Sequence, residues 1–234
     1  MGVISSLVNG SVTLVVEFIK NKFFQNKSPE NTGRCKEKTD VEKKPEISLS
    51  DIDYKLPDSF KQKGIVGIQC KNHEKVAEKV LKAKHSIKII SYYGDAVLNN
   101  LRKKLIEVIK ANIEVRLLLA KKDSILIDEV LELEKTKKDY IKYEYVRKTI
   151  KEIKEATVDK SSRLTLRQYN TQARYALIVI DEEWAWWTPY HPGIITEESI
   201  SFELENTGNS SFFHLCDSHF EKLWEISEED NVND

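Results

Sequence analysis

The chain has 234 residues, 40% hydrophobic and 32% charged, enough for one medium-sized globular domain with additional segments. Lys and Arg number 37 against 38 Asp and Glu, a net charge of −1 that excludes a uniformly basic coat for duplex nucleic acid but leaves room for a local basic groove. Cys35, Cys70 and Cys216 are far apart and odd in number, and His73, His85, His191, His214 and His219 form no HExxH pair, so neither a disulfide framework, a metal nor another cofactor is expected.

The first segment, residues 1–24, carries no charge from Val3 to Val16. Wound as a helix, it gathers Ser6, Asn9, Thr13, Glu17 and Lys20 into one polar sector of about 80°. Val3, Ile4, Leu7, Val8, Leu14, Val15, Phe18 and Ile19 cover most of the rest. Residues 3–19 are at the lower limit for crossing a bilayer, which takes about 17–25 residues. Lys20, Lys22 and Lys27 follow directly and would hold the body on the cytoplasmic side. A polar stripe in such a helix favours packing in an oligomeric bundle or lining a pore. The other reading is an amphipathic helix docked on its own domain or on a partner protein. Gly2 and Ser6 also match a myristoylation pattern. Residues 25–46 are charge-rich and nearly free of apolar side chains, which reads as a flexible tether.

The body, residues 47–234, alternates helical and strand patterns. Val76, Val80, Leu81 and Ala83 recur at helical spacing before a strand from Ser86 to Ser91. Leu98, Leu101, Leu105, Ile106 and Ile109 line the next helix, and IEVRLLLA follows as a buried strand. IDEVLELEKTKKDY and VRKTIKEIKEATVD read as helices separated by IKYEY. Four strand-like runs come in quick succession: LTLRQYN, ARYALIVID, EWAWWTP and ISFELEN. FHLCDSHFEKLWEIS closes the body as an amphipathic helix, with Phe212, Phe213, Phe220, Leu223 and Trp224 available to the core. This order predicts an α/β fold, a mixed sheet flanked by helices. No G-x-G-x-x-G or G-x-x-x-x-G-K appears, so a glycine-rich nucleotide loop is not expected.

The order of elements from Val76 to Leu119 and from Leu164 to Trp224, with the closing F-E-x-L-W at Phe220–Trp224, resembles a single phospholipase D-like domain. Active members carry H-x-K-x4-D on the strand that here reads ARYALIVID. Aligned on Asp181, this chain has Arg174 at the position of the nucleophilic His and Ala176 at that of the phosphate-binding Lys. The family's G-S-x-N-like turn is replaced by Trp187-Thr188-Pro189-Tyr190. Its chemistry needs one imidazole to attack phosphorus and another to protonate the leaving oxygen, and a guanidinium does neither. The resemblance therefore implies a catalytically silent domain that binds a phosphodiester, either a nucleotide or a short single-stranded oligonucleotide.

Arg174 and Arg167 are candidate phosphate forks, and Lys121 and Lys122 follow a strand end facing the same crevice. Tyr92, Tyr93, Tyr169, Trp187 and Tyr190 are candidate base-stacking rings, and His191, between two prolines, a hydrogen-bonding tip. Each also has a plain reading: a strand-end charge, a solvated loop, core aromatics, a rigid turn. Since active members of the family need two motif copies in one site, a single copy implies a homodimer or homotetramer. The layout resembles that of membrane effectors in bacterial antiphage signalling, which implies a sensor at the cytoplasmic face of the inner (plasma) membrane. The alternatives are a divergent phosphodiesterase or nuclease using His191, and a non-enzymatic docking domain.

Overall fold

The computed structural model describes residues 56–70, 73–122, 140–171, 173, 175–190 and 199–230. The N-terminal helix with its stripe, the tether, IDEVLELEKTKKD, Arg174 and His191 lie outside the described residues. In chain order the fold builds α1 (Asp58–Gln62), β1 (Ile65–Cys70), α2 (His73–Leu81), β2 (Ser86–Ser91), α3 (Asp95–Lys110), β3 (Glu114–Ala120) and α4 (Tyr140–Ala156). A 3-10 turn (Val158–Arg163) leads to β4 (Leu164–Tyr169), β5 (Tyr175–Ile180), β6 (Trp184–Pro189), β7 (Ile200–Glu205), α5 (Phe212–Ile226) and β8 (Glu228–Glu229). Among the described residues no helix is long and apolar enough to cross a membrane.

The strands form one sheet in the order β1-β7-β6-β5-β2-β3-β4-β8. β2, β3 and β4 run parallel, with Ile87 beside Val115 and Val115 beside Leu164, and the other neighbours pair antiparallel. The mixed α/β sheet is thus the one the pattern predicts, with departures at α1, β1, α4 and β8. β1 is not legible because IVGIQC is short and interrupted by Gly67, where a Cβ would stand 2.9 Å from a Glu203 carboxylate oxygen. α4 runs unbroken through IKYEY, because Tyr143, Val146, Ile150 and Ile153 form one buried helical stripe.

One sheet face carries a large apolar cluster. Ile87, Ile89, Val115, Leu117, Leu166 and Ile178 meet Val80 of α2, Leu98 and Leu105 of α3, and Ile150 of α4. Trp184 and Trp186 belong to the same cluster. Each fully buried aliphatic side chain there contributes about 1.5–3 kcal/mol by leaving water.

α5 covers the opposite face, burying Phe213, Phe220 and Leu223 there, and is also tied to the sheet by charge. Ser211 caps it, its hydroxyl oxygen accepting from the His214 amide at 3.1 Å. Lys88, only 3% exposed in the middle of β2, places Nζ 2.8 Å from Asp217 and 2.7 Å from Glu221. Burial alone lowers a lysine pKa, but the two carboxylates outweigh it and hold Lys88 above its ordinary value. Arg116, the cross-strand neighbour of Lys88, grips Glu221 with two bonds of 3.0 and 2.7 Å and lies 4.4 Å over the Trp224 ring.

The topology sorts the two ends of the sheet. Ser91, Ala120 and Tyr169 end the three parallel strands at one edge, where β5 begins at Tyr175 and β6 ends at Pro189. Asp181 lies at the other edge, in the β5–β6 turn.

Candidate functional site

The carboxyl ends of β2, β3 and β4 are tied together by short-range bonds. Ser91 Oγ accepts from the Gly94 amide at 3.2 Å, and Tyr169 donates its hydroxyl to the Ser91 carbonyl at 3.4 Å. Gly94 has φ of 79°, which favours glycine, and a Cβ there would meet Leu119 Cδ2 at 2.9 Å, so that side chain would have to shift. Tyr92 and Tyr190 pack ring on ring at 4.6 Å. Burial pushes the Tyr190 hydroxyl up to about 12, so it stays protonated.

This packing changes the expected roles of the aromatic residues. Tyr169 is 1% exposed and Tyr92 4% exposed, so both form the wall of this edge and have no free ring face for a base. Tyr93 and Tyr190 are half-buried beside them. Trp187 belongs to the α5 side, 5.1 Å edge-on from Phe212 and 5.3 Å from Phe202, in a packed aromatic group. Arg167 is likewise not a free phosphate fork. Its guanidinium donates to the Trp224 carbonyl at 2.5 Å and stacks 5.2 Å over the Trp224 ring, an arginine completing the C-terminal end of α5.

Lys121 and Lys122 emerge from β3 at this edge. The Lys121 amide donates to the Tyr169 carbonyl at 2.8 Å, while its ammonium sits 2.7 Å from Glu228. Lys122 is 3.8 Å from Glu144 and 5.5 Å over the Tyr143 ring. Both side chains are about two-fifths exposed.

Next to them is a group that the sequence reading missed. Tyr143 and Arg147 stand one turn apart on α4, and Gln168 alternates with Arg167 and Tyr169 on β4. Gln168 Nε2 donates at 2.6 Å both to the Tyr143 hydroxyl and to an Asp230 carboxylate oxygen. Arg147 approaches the same Asp230 oxygen at 3.3 Å. Burial lowers the Arg147 pKa, yet Tyr143 and Asp230 outweigh it and leave it raised. Asp230 reaches this corner because β8 pairs with β4, setting Glu228 beside Gln168 and Glu229 beside Arg167. The i, i+4 spacing of Tyr143 and Arg147 was the only local signal. A cation and an amide converging on one carboxylate oxygen, with the Tyr143 phenol on the same amide, form a set that suits an oxyanion.

A separate pair lies on the α5 face. Tyr175, at the start of β5, shares a hydrogen bond with His219 Nδ1. Burial, and then the Lys222 charge, hold the His219 pKa below its ordinary value, so the imidazole is neutral at pH 7. Burial also raises the Tyr175 hydroxyl and the Cys216 thiol well above their usual ranges. His85 and His214 are exposed elsewhere. Among the described residues no three His, Cys, Asp or Glu side chains gather as a metal set.

No family model and no curated relative matches the sequence. Solved structures do. TrmBL2, an archaeal chromatin protein whose structure shows a mode of DNA binding, matches 70% of this chain at 15% identity and a TM-score of 0.46. The chain covers 54% of that protein. Nuc, a phospholipase D family member from Salmonella typhimurium, matches 70% of this chain and 97% of its own at 12% identity and a TM-score of 0.44. Phosphatidylserine synthase of Haemophilus influenzae matches 71% of this chain and 38% of its own, at 11% identity and a TM-score of 0.49.

Proposed function

We propose that the body is a phospholipase D-like domain without phosphodiester chemistry, which holds a phosphodiester ligand at the carboxyl edge of its sheet. The ligand is a nucleotide or a short single-stranded oligonucleotide. In this reading residues 1–24 carry the domain to the cytoplasmic face of the plasma membrane as a homo-oligomer. Ligand occupancy then biases the helix bundle or pore they form, in a defence against phage.

The observation that carries the binding half is the gathering of Lys121, Lys122, Arg147, Gln168 and Tyr143 at one edge. The silent half is supported by the described residues of β5, where Tyr175, Ala176 and Leu177 bring no imidazole or amine of their own to that edge. Fluorescence anisotropy of the full chain with a fluorescein-labelled thymidine hexanucleotide tests it. Binding is expected without cleavage, and Lys121→Glu is expected to weaken it at least about tenfold by setting an anion against phosphate. Unchanged affinity in that variant removes the edge as the site. Deleting residues 1–24 is expected to abolish cosedimentation with anionic vesicles while leaving hexanucleotide affinity intact.

One observation favours a second reading, a divergent phosphodiesterase. The neutral His219 bonded to Tyr175 is a base of suitable protonation state. Turnover of bis-p-nitrophenyl phosphate that disappears in His219→Ala would replace the silent reading with this one.

A further inference from the structure

Resting on the phosphodiester reading, we infer that the acidic segment Glu228–Asp230 is a displaceable plug, and that the corner of Lys121, Tyr143, Arg147 and Gln168 beneath it is the subsite for linked phosphates. The segment consists of three consecutive carboxylates, and two of them already occupy anion positions. Asp230 takes bonds from Arg147 and Gln168 with its side chain only 10% exposed, and Glu228 takes the Lys121 ammonium. Their oxygens stand where phosphate oxygens would, since carboxylate and phosphate draw on the same charged donors.

The hold on this segment is slight. β8 is two residues long, and both are exposed. Its backbone ties are the pairing with Arg167 and Gln168 and one bond from the Asp230 amide to the Leu166 carbonyl at 3.1 Å. No apolar side chain of 228–230 enters the core, and the Lys121–Glu228 pair is exposed at both ends, 41% and 73%. Ion pairs of that kind contribute little, which leaves the Asp230 bonds to Arg147 and Gln168 as the main hold. A short strand held so opens more readily than the domain unfolds. Once it leaves, Arg147 and Gln168 lose the oxygen they share, a place that an incoming anion can take.

The spacing suggests what comes in. Glu228 and Asp230 are two residues apart on an extended chain, roughly 7 Å, an interval that neighbouring phosphates of an extended single strand also span. A lone phosphate replaces one of the two carboxylates; two linked phosphates replace both. The preferred ligand class is therefore an oligonucleotide rather than a nucleoside monophosphate.

The test compares wild type with Glu228→Gln/Asp230→Asn in the full chain, using the labelled thymidine hexanucleotide, with circular dichroism to verify folding. The double variant is expected to bind about tenfold more tightly, as two competing charges are gone. Adding Arg147→Gln should cancel the gain. Amide exchange at 228–230 in the wild type should speed up when the hexanucleotide is added. Equal affinity in wild type and double variant, or slower exchange on binding, overturns the plug while leaving the phosphodiester reading intact. No binding by either protein overturns both. If the double variant gains affinity for the peptide ISEEDNVND and none for the hexanucleotide, the corner is an acidic-peptide site and the inference is wrong.

Discussion

Asp181, the residue that most resembles a remnant of catalysis, is expected to act on stability alone. It opens the β5–β6 turn with φ of 54°, followed by Glu182 at 57°, a left-handed pair built without glycine. Its carboxylate accepts from the amides of Lys84, His85 and Ser86 at 2.7, 2.7 and 2.9 Å, fastening the turn to the entry of β2. Hydrogen bonds to a charged acceptor contribute about 1.5–3 kcal/mol each, and solvent access here argues for about 1 each. Placing alanine in the left-handed region adds about 1 kcal/mol, so Asp181→Ala is expected to cost about 4 kcal/mol. Asparagine tolerates that backbone and keeps one acceptor, which limits Asp181→Asn to about 1–2 kcal/mol. Urea unfolding reads both: at about 2 kcal/mol per molar, the alanine midpoint falls by about 2 M. Burial raises the Asp181 pKa, but the three amides outweigh it, so the folded pKa lies below the unfolded one. The stabilisation is therefore complete above the unfolded value of about 3.9 and disappears as pH falls through the folded pKa. The gap between wild type and Asp181→Asn should shrink accordingly in acid. Hexanucleotide affinity should be unchanged in folded Asp181→Asn, because the length of β5, about 20 Å, separates it from the site. An alanine midpoint within about 0.3 M of wild type, or loss of binding in the folded asparagine variant, refutes this account.

Lys88→Ala should destabilise by about 3 kcal/mol in the same assay, since Asp217 is left beneath α5 without its ammonium while Glu221 keeps Arg116. Gly94→Ala should cost about 2–3 kcal/mol, combining left-handed strain with the overlap against Leu119, and lower the thermal midpoint by several degrees. Lys222→Gln should raise the His219 pKa measured by imidazole NMR, because a cation that disfavours protonation has been removed. With its folded pKa depressed, His219 costs stability as pH falls below the unfolded value of about 6.5, and the variant should flatten that decline.

The fold was legible wherever burial imposed one periodicity. IEVRLLLA, YALIVI and FFHLCDSHFEKLWEI each carry their period without interruption, and the structure places a strand, a strand and a helix there. Legibility failed where stability comes from partners distant in sequence. Glu228–Glu229 is a strand only because β4 offers an edge and Arg147, Gln168 and Lys121 receive its flanking carboxylates. No pattern within those residues encodes that.

For the candidate site, alternation explains which placements were legible and which were not. Lys121 and Lys122 follow a parallel strand, and all such strand ends share one edge, so their location was readable. Arg167, Gln168 and Tyr169 lie at the same edge, but the pleat sends Gln168 to one face and its two neighbours to the other. Charge and aromaticity drew attention to Arg167 and Tyr169, yet α5 claims the guanidinium and the strand ends enclose the ring. The neutral amide between them is the residue that meets α4, where Tyr143 and Arg147 wait. A strand pattern ranks residues by face but does not say which face a later helix will cover, and here that helix begins more than forty residues downstream. This division makes binding and integrity separable: substitutions at Gln168 or Arg147 should alter ligand affinity, whereas substitutions at Arg167 should first loosen α5.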